Sequence, residues 1–126
     1  MIPLSKKSKP LKHDGEYTVP LYGGTVYLFK TKSKLHKAQD YLGCVRTDLD
    51  NCAGQAIMLF KKETSEVVYI IGVFNNNLST LAHECSHVTL FISEYAGIVP
   101  IESSGEPFCY LLGDKFEKLH TSFKES

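Results

Sequence analysis

The chain of 126 residues has no tryptophan, two methionines and no excess of charge of either sign. Lys and Arg total 14, as do Asp and Glu, so no global field draws it to nucleic acid or to an acidic membrane surface. It has no long hydrophobic run: the longest strongly apolar stretch, Val67 to Phe74, is far too short to cross a bilayer. Met1 to Lys12 is basic but lacks the apolar segment of a secretory signal. A cytoplasmic protein with no membrane partner is therefore expected. The four cysteines, Cys44, Cys52, Cys85 and Cys109, form no CxxC pair. Without an export signal they are expected as reduced thiols rather than two disulfides. Low-complexity tracts are also missing, and 43% hydrophobic with 22% charged residues is ordinary for one soluble globular domain.

The pattern along the chain predicts a basic, loosely ordered arm over residues 1–15 and a single domain over 16–126. Thr25 to Thr31 is rich in β-formers and follows Gly23-Gly24, which predicts a strand. Ser33 is a candidate N-cap for a helix from Lys34 to Leu42, stopped by Gly43. Cys44 to Gly54 is polar and reads as a loop; its acidic run lacks the glycine and glutamate of a calcium loop. Gln55 to Lys61 and Glu66 to Phe74 flank a polar turn and predict a hairpin. A helix capped by Asn77 or Ser79 then runs to Ala96 and ends at Gly97. Leu81, Cys85, Val88, Ile92 and Tyr95 form its apolar face. With Leu90 and Phe91 added, it reads as a helix buried on more than one side. A last helix starts at Pro107 and carries a stripe of Phe108, Leu111, Leu112, Phe116, Leu119 and Phe123. The fold class is α+β, a small and mainly antiparallel sheet packed on these two helices.

Within the first of these helices stands His83-Glu84-Cys85-Ser86-His87, an HExxH pattern. Two imidazoles four residues apart leave one helix face about 40° and roughly 6 Å apart. That spacing lets both reach one Zn²⁺, and the glutamate after the first histidine is placed to deprotonate a water there. Cys85 points to the other side of the helix and reads as a small core residue. His13, His36 and His120 read as isolated surface histidines.

A catalytic zinc usually takes three protein ligands. The extended HExxHxxGxxH form is excluded, because Leu90 and Ser93 stand where its glycine and histidine would. Glu106 is the leading third ligand, since the loop from Val99 to Gly105 lets the chain return and start the next helix beside the site. A plain N-cap at that place favours Asp, Ser, Thr or Asn over Glu. Glu102 is the alternative, and His120 lies almost four turns too far along. Tyr95, Tyr110 and His120 are candidates for stabilising an oxyanion.

HECSH followed by Glu106 resembles the gluzincin arrangement, with HExxH on one helix and a glutamate on the next. The order of strand, hairpin, motif helix and second helix is similar to a minimal zincin domain. Such domains occur in small phage- and prophage-encoded proteins and among ImmA/IrrE-like and SprT-like metallopeptidases. The stretches Leu81 to His87 and Gly105 to Tyr110 are similar to phage-encoded members in particular. The resemblance implies a Zn²⁺ held by His83, His87 and Glu106, Glu84 as general base, and a protein or peptide substrate bound along a strand of the hairpin, with Gln55 to Phe60 the better candidate. Gluzincins often carry an acidic residue one turn after the ligand, a place filled here by Tyr110. The expected function is a narrowly specific zinc metallopeptidase. The alternative is a non-enzymatic zinc-containing module that binds a host or phage protein, and the plainest reading is a helix surface with no metal.

Overall fold

A computed structural model describes residues 11–61, 64–98 and 105–125. Four strands, β1 (Gly15–Thr18), β2 (Thr25–Phe29), β3 (Gly54–Lys61) and β4 (Glu66–Val73), form one sheet in the order β1-β2-β4-β3. Three helices complete the fold: α1 (Lys32–Leu42), α2 (Leu78–Ala96) and α3 (Glu106–Glu125). The hairpin β3-β4 and the pair β1-β2 are antiparallel, whereas β2 and β4 run parallel, with α1 in the chain that crosses between them. The fold is thus α+β with a mixed sheet, two of whose three pairings are antiparallel.

β4 shows why the molecule is layered. Val67 to Val73 are all buried, because the strand has neighbours on both edges and helices on both faces. Val67, Tyr69, Ile71 and Val73 enter a core shared with Leu81, Cys85, Val88 and Ile92 of α2 and Leu111, Leu119 and Phe123 of α3. Val68 and Ile70 point the other way, to Leu35, Ala38 and Leu42 of α1. The period-2 alternation of a strand thereby feeds two apolar layers. β3 repeats the division, with Ala56 and Met58 towards α2 and Ile57 and Leu59 towards α1.

Several boundaries differ from the sequence expectation for local physical reasons. α1 begins at Lys32, because the Thr31 hydroxyl, not Ser33, accepts from Lys34 N at 3.1 Å. Asn77, one of the two candidates, caps α2, accepting from Ser79 N at 2.8 Å. Gly97 closes that helix with φ 74°, a left-handed conformation that glycine adopts without strain. α3 starts one residue earlier than expected. β1 was not expected at all: four residues, Gly-Glu-Tyr-Thr, carry little β signal and are held by pairing with β2. The described end of the basic arm is tethered as well. Asp14 N donates to Leu28 O, and its carboxylate accepts from Lys30 N and from Lys34 Nζ. Residues 1–10 lie outside the described residues.

α2 is not enclosed on every side. Leu81, Glu84, Cys85, Val88, Thr89, Ile92 and Ser93 are buried, but His83, His87, Leu90 and Glu94 form an exposed stripe. Sheet and α3 cover two flanks, and among the described residues nothing covers the third. Tyr95, expected in the apolar face, is 41% exposed. No helix among the described residues is long and apolar enough to cross a membrane.

Candidate metal centre

His83, Glu84 and His87 offer donor atoms that all lie within 4.8 Å of one another, the only such group of three or more among the described residues. The helix itself does the placing. Successive turns stack the two imidazoles, with ring centroids 4.7 Å apart and Nε2 atoms 3.1 Å apart. At that separation one Nε2–H donates to the other ring's Nε2. Two nitrogens bound tetrahedrally to zinc at about 2.0–2.1 Å lie roughly 3.3 Å apart. The pair is therefore spaced to share one metal with little rearrangement.

Glu84 leaves the helix on the side that faces β3. It is 7% exposed, and burial raises its carboxyl above the usual carboxylate range while the neighbouring His83 and His87 pull it back. An open recess of about 590 Å³ lies beside it, lined by Cys52, Ala53, Gly54, Ser79, Thr80, His83 and Glu84. Gly54 makes this approach feasible. A Cβ there would stand 2.7 Å from Thr80 Cγ2 and 2.9 Å from a Glu84 carboxylate oxygen. The sequence marked Gly54 only as the end of a loop; its role depends on a cross-element contact that no local pattern encodes.

The expected third ligand does not join the group. Pro107 and Tyr110 share a recess with Pro20, Leu21 and Tyr22, and Tyr22 lines another with Tyr95. Lys115 Nζ donates to Thr89 Oγ1 at 2.5 Å, and together with the recesses that link Pro107 through Tyr22 to Tyr95 this contact runs α3 antiparallel to α2. Glu106 consequently sits past the C-terminal end of α2, roughly 16 Å along the axis from His87. Its side chain is exposed. The short loop after α2 brings the first turn of α3 to the far end of the motif helix rather than beside the histidines. Glu102 falls outside the described residues.

Both tyrosine candidates are also displaced. Tyr110 is 76% exposed on α3 beside Pro107, away from the histidines. Tyr95 lies two turns past His87, about 12 Å along the helix, and packs on Phe60 with ring centroids 5.8 Å apart. The other histidines find unrelated partners: His13 pairs with Glu16, His36 Nε2 with Thr47 O, and His120 stacks on Phe116.

Behind the site, sequence reasoning missed Lys115. It occupies the middle of the buried stripe Leu111, Lys115, Leu119, Phe123 and has no exposed surface. Thr89 Oγ1, its hydrogen-bond partner, itself donates to Cys85 O at 2.8 Å. Burial lowers the Lys115 ammonium to about 8.

Compared with known proteins, the chain matches no protein-family model, no curated protein and no solved structure.

Proposed function

We propose that the chain is a zinc-dependent metallopeptidase that uses His83 and His87 as metal ligands and Glu84 as general base. The observation that supports this reading is the convergence of the two Nε2 atoms at 3.1 Å with a buried carboxylate beside them. Zinc bound there supplies a Lewis acid that polarises a peptide carbonyl and acidifies water. Glu84, its carboxyl raised by burial, takes a proton from a water in the recess and returns it to the leaving amine. The recess beside Gly54 has room for water and for the reacting carbonyl. β3 is an edge strand and borders this recess through Gly54, so its outer side can hold an extended peptide by main-chain pairing.

The position of Glu106 favours a second reading. With that carboxylate far from the histidines, Glu84 is the one acidic group in reach among the described residues. A His83-Glu84-His87 set that holds the metal through all three donors leaves no free base and makes a binding module. Glu84→Gln separates the two. As a peptidase the variant keeps zinc and loses hydrolysis; as a three-donor module it loses zinc. The function itself is tested by comparing protein termini in cell extract exposed to wild type or to Glu84→Gln. New termini made by wild type alone support the peptidase, and identical termini in both reject it.

A further inference from the structure

His83 and His87 account for two of the three protein ligands that a catalytic zinc usually takes, and Glu106 is too distant to be the third. Glu84 can fill that place only by giving up its work as a base. The recess beside it brings in one more donor. Of the residues that line it, Cys52 is the one besides His83 and Glu84 with a His, Cys, Asp or Glu side chain. The recess thus sets a loop thiol against the first turns of α2.

The main chain and the side chain of Cys52 are held very differently. Its N–H donates to Leu49 O at 3.1 Å, Leu49 is 2% exposed, and Ala53 O accepts from Phe74 N at 2.8 Å. The backbone is thereby tied to the core on one side and to the end of β4 on the other. The thiol is free and half-buried, and its one hydrogen bond among the described residues is a long 3.9 Å contact to Gln55 Oε1. Rotation about a single side-chain bond to another staggered position therefore costs it little.

Glu84 supplies an independent sign that a cation belongs in the recess. Its side chain is 7% exposed, and its carboxylate accepts no hydrogen bond among the described residues. One of its oxygens lies 2.9 Å from where a Cβ on Gly54 would stand, two residues along the chain from Cys52. A buried carboxylate without a donor is costly, and a bound cation or its water meets that need. We propose that Cys52 is the third zinc ligand, completing a His83-His87-Cys52 set and leaving Glu84 to act on water. On binding, the thiol proton passes to solvent and the sulfur coordinates as thiolate. Two neutral imidazoles and one thiolate leave net positive charge at the ion, which keeps the centre electrophilic.

This assignment rests on the reading of His83 and His87 as metal ligands, but its test needs no substrate. The reduced full chain is titrated with Co²⁺, whose bond to a thiolate gives a sulfur-to-metal charge-transfer band in the near ultraviolet. Wild type and Cys109→Ser are expected to show the band at one cobalt per chain, and Cys52→Ser and His83→Ala to lack it. Zinc affinity, read by competition with a chromophoric chelator, should fall more than about a hundredfold in Cys52→Ser, beyond the loss caused by removing an outer partner. A measurement on wild type alone checks the same point. Zinc should protect Cys52 from iodoacetamide and leave the exposed Cys109 reactive. A band that survives Cys52→Ser, or cobalt bound by the histidines with no band, overturns Cys52 as a ligand and leaves the histidine centre standing. Alkylation of Cys52 that zinc does not slow has the same meaning. Wild type that binds no cobalt, or a His83→Ala variant that binds it equally well, refutes the histidine centre itself.

Discussion

Replacing Lys115 by methionine should stabilise the fold at neutral pH and abolish a specific pH dependence. The ammonium is buried with one hydroxyl partner, and its folded-state value is about 8 against 10.5 for the free group. The difference corresponds to about 3 kcal/mol of destabilisation when both states are protonated. Because the folded value is lowered, the unfolded chain holds the proton more tightly, and stability rises with pH between the two values. Below about pH 8 the full penalty applies; by pH 9 about 2 kcal/mol remains, and above 10.5 it is gone. Methionine fills similar volume and removes the charge. Thr89 keeps its bond to Cys85 O, so no donor is stranded. Urea unfolding in reducing buffer at pH 7 and pH 9 measures the effect. The advantage of Lys115→Met over wild type should be about 1–3 kcal/mol at pH 7 and smaller by about 1 kcal/mol at pH 9. Taking the difference between the two proteins largely cancels Cys85, whose thiol burial pushes up to about 11. An advantage that does not change with pH would refute the reasoning, since it would mean that the ammonium titrates as a solvated lysine.

Three further outcomes follow from the site. Gly54→Ala puts a methyl group against Thr80 and Glu84, so it should cost about 1–3 kcal/mol in a denaturation midpoint and reduce hydrolysis by displacing the base. Glu106→Ala should leave zinc affinity within about twofold, because the carboxylate is roughly 16 Å along the helix axis from His87; a competition titration with a chromophoric chelator reads this directly. Asn77→Ala removes the cap of the motif helix and should cost about 1 kcal/mol in thermal or urea unfolding, with zinc stoichiometry unchanged.

Features that depend on one element's own periodicity were legible in the sequence. The motif helix, its Asn77 cap and Gly97 stop, the β3-β4 hairpin and the α+β class all follow from apolar spacing and turn residues. The convergence of His83, Glu84 and His87 was legible for the same reason, since one helix positions all three. What failed depends on how elements meet. Glu106 follows HExxH at a plausible interval, but its distance from the two histidines is set by how α2 and α3 overlap, which spacing along the chain does not report. Tyr95 fits the apolar period yet stands at the end of its helix, where its ring meets Phe60 at the rim of the sheet and stays partly exposed. Lys115 sits in an apolar stripe at a position where a polar residue reads as surface, and only the Thr89 hydroxyl on the facing helix accounts for it. β1 is too short to carry a pattern, and its partner strand supplies what its sequence lacks.

Metal stoichiometry by native mass spectrometry, on protein purified without added zinc, tests the central claim most directly. Wild type and Glu84→Gln should each carry one zinc, and His83→Ala and His87→Ala none. Equal metal content in all four proteins would contradict the account, because the histidine pair would then not be what holds the ion.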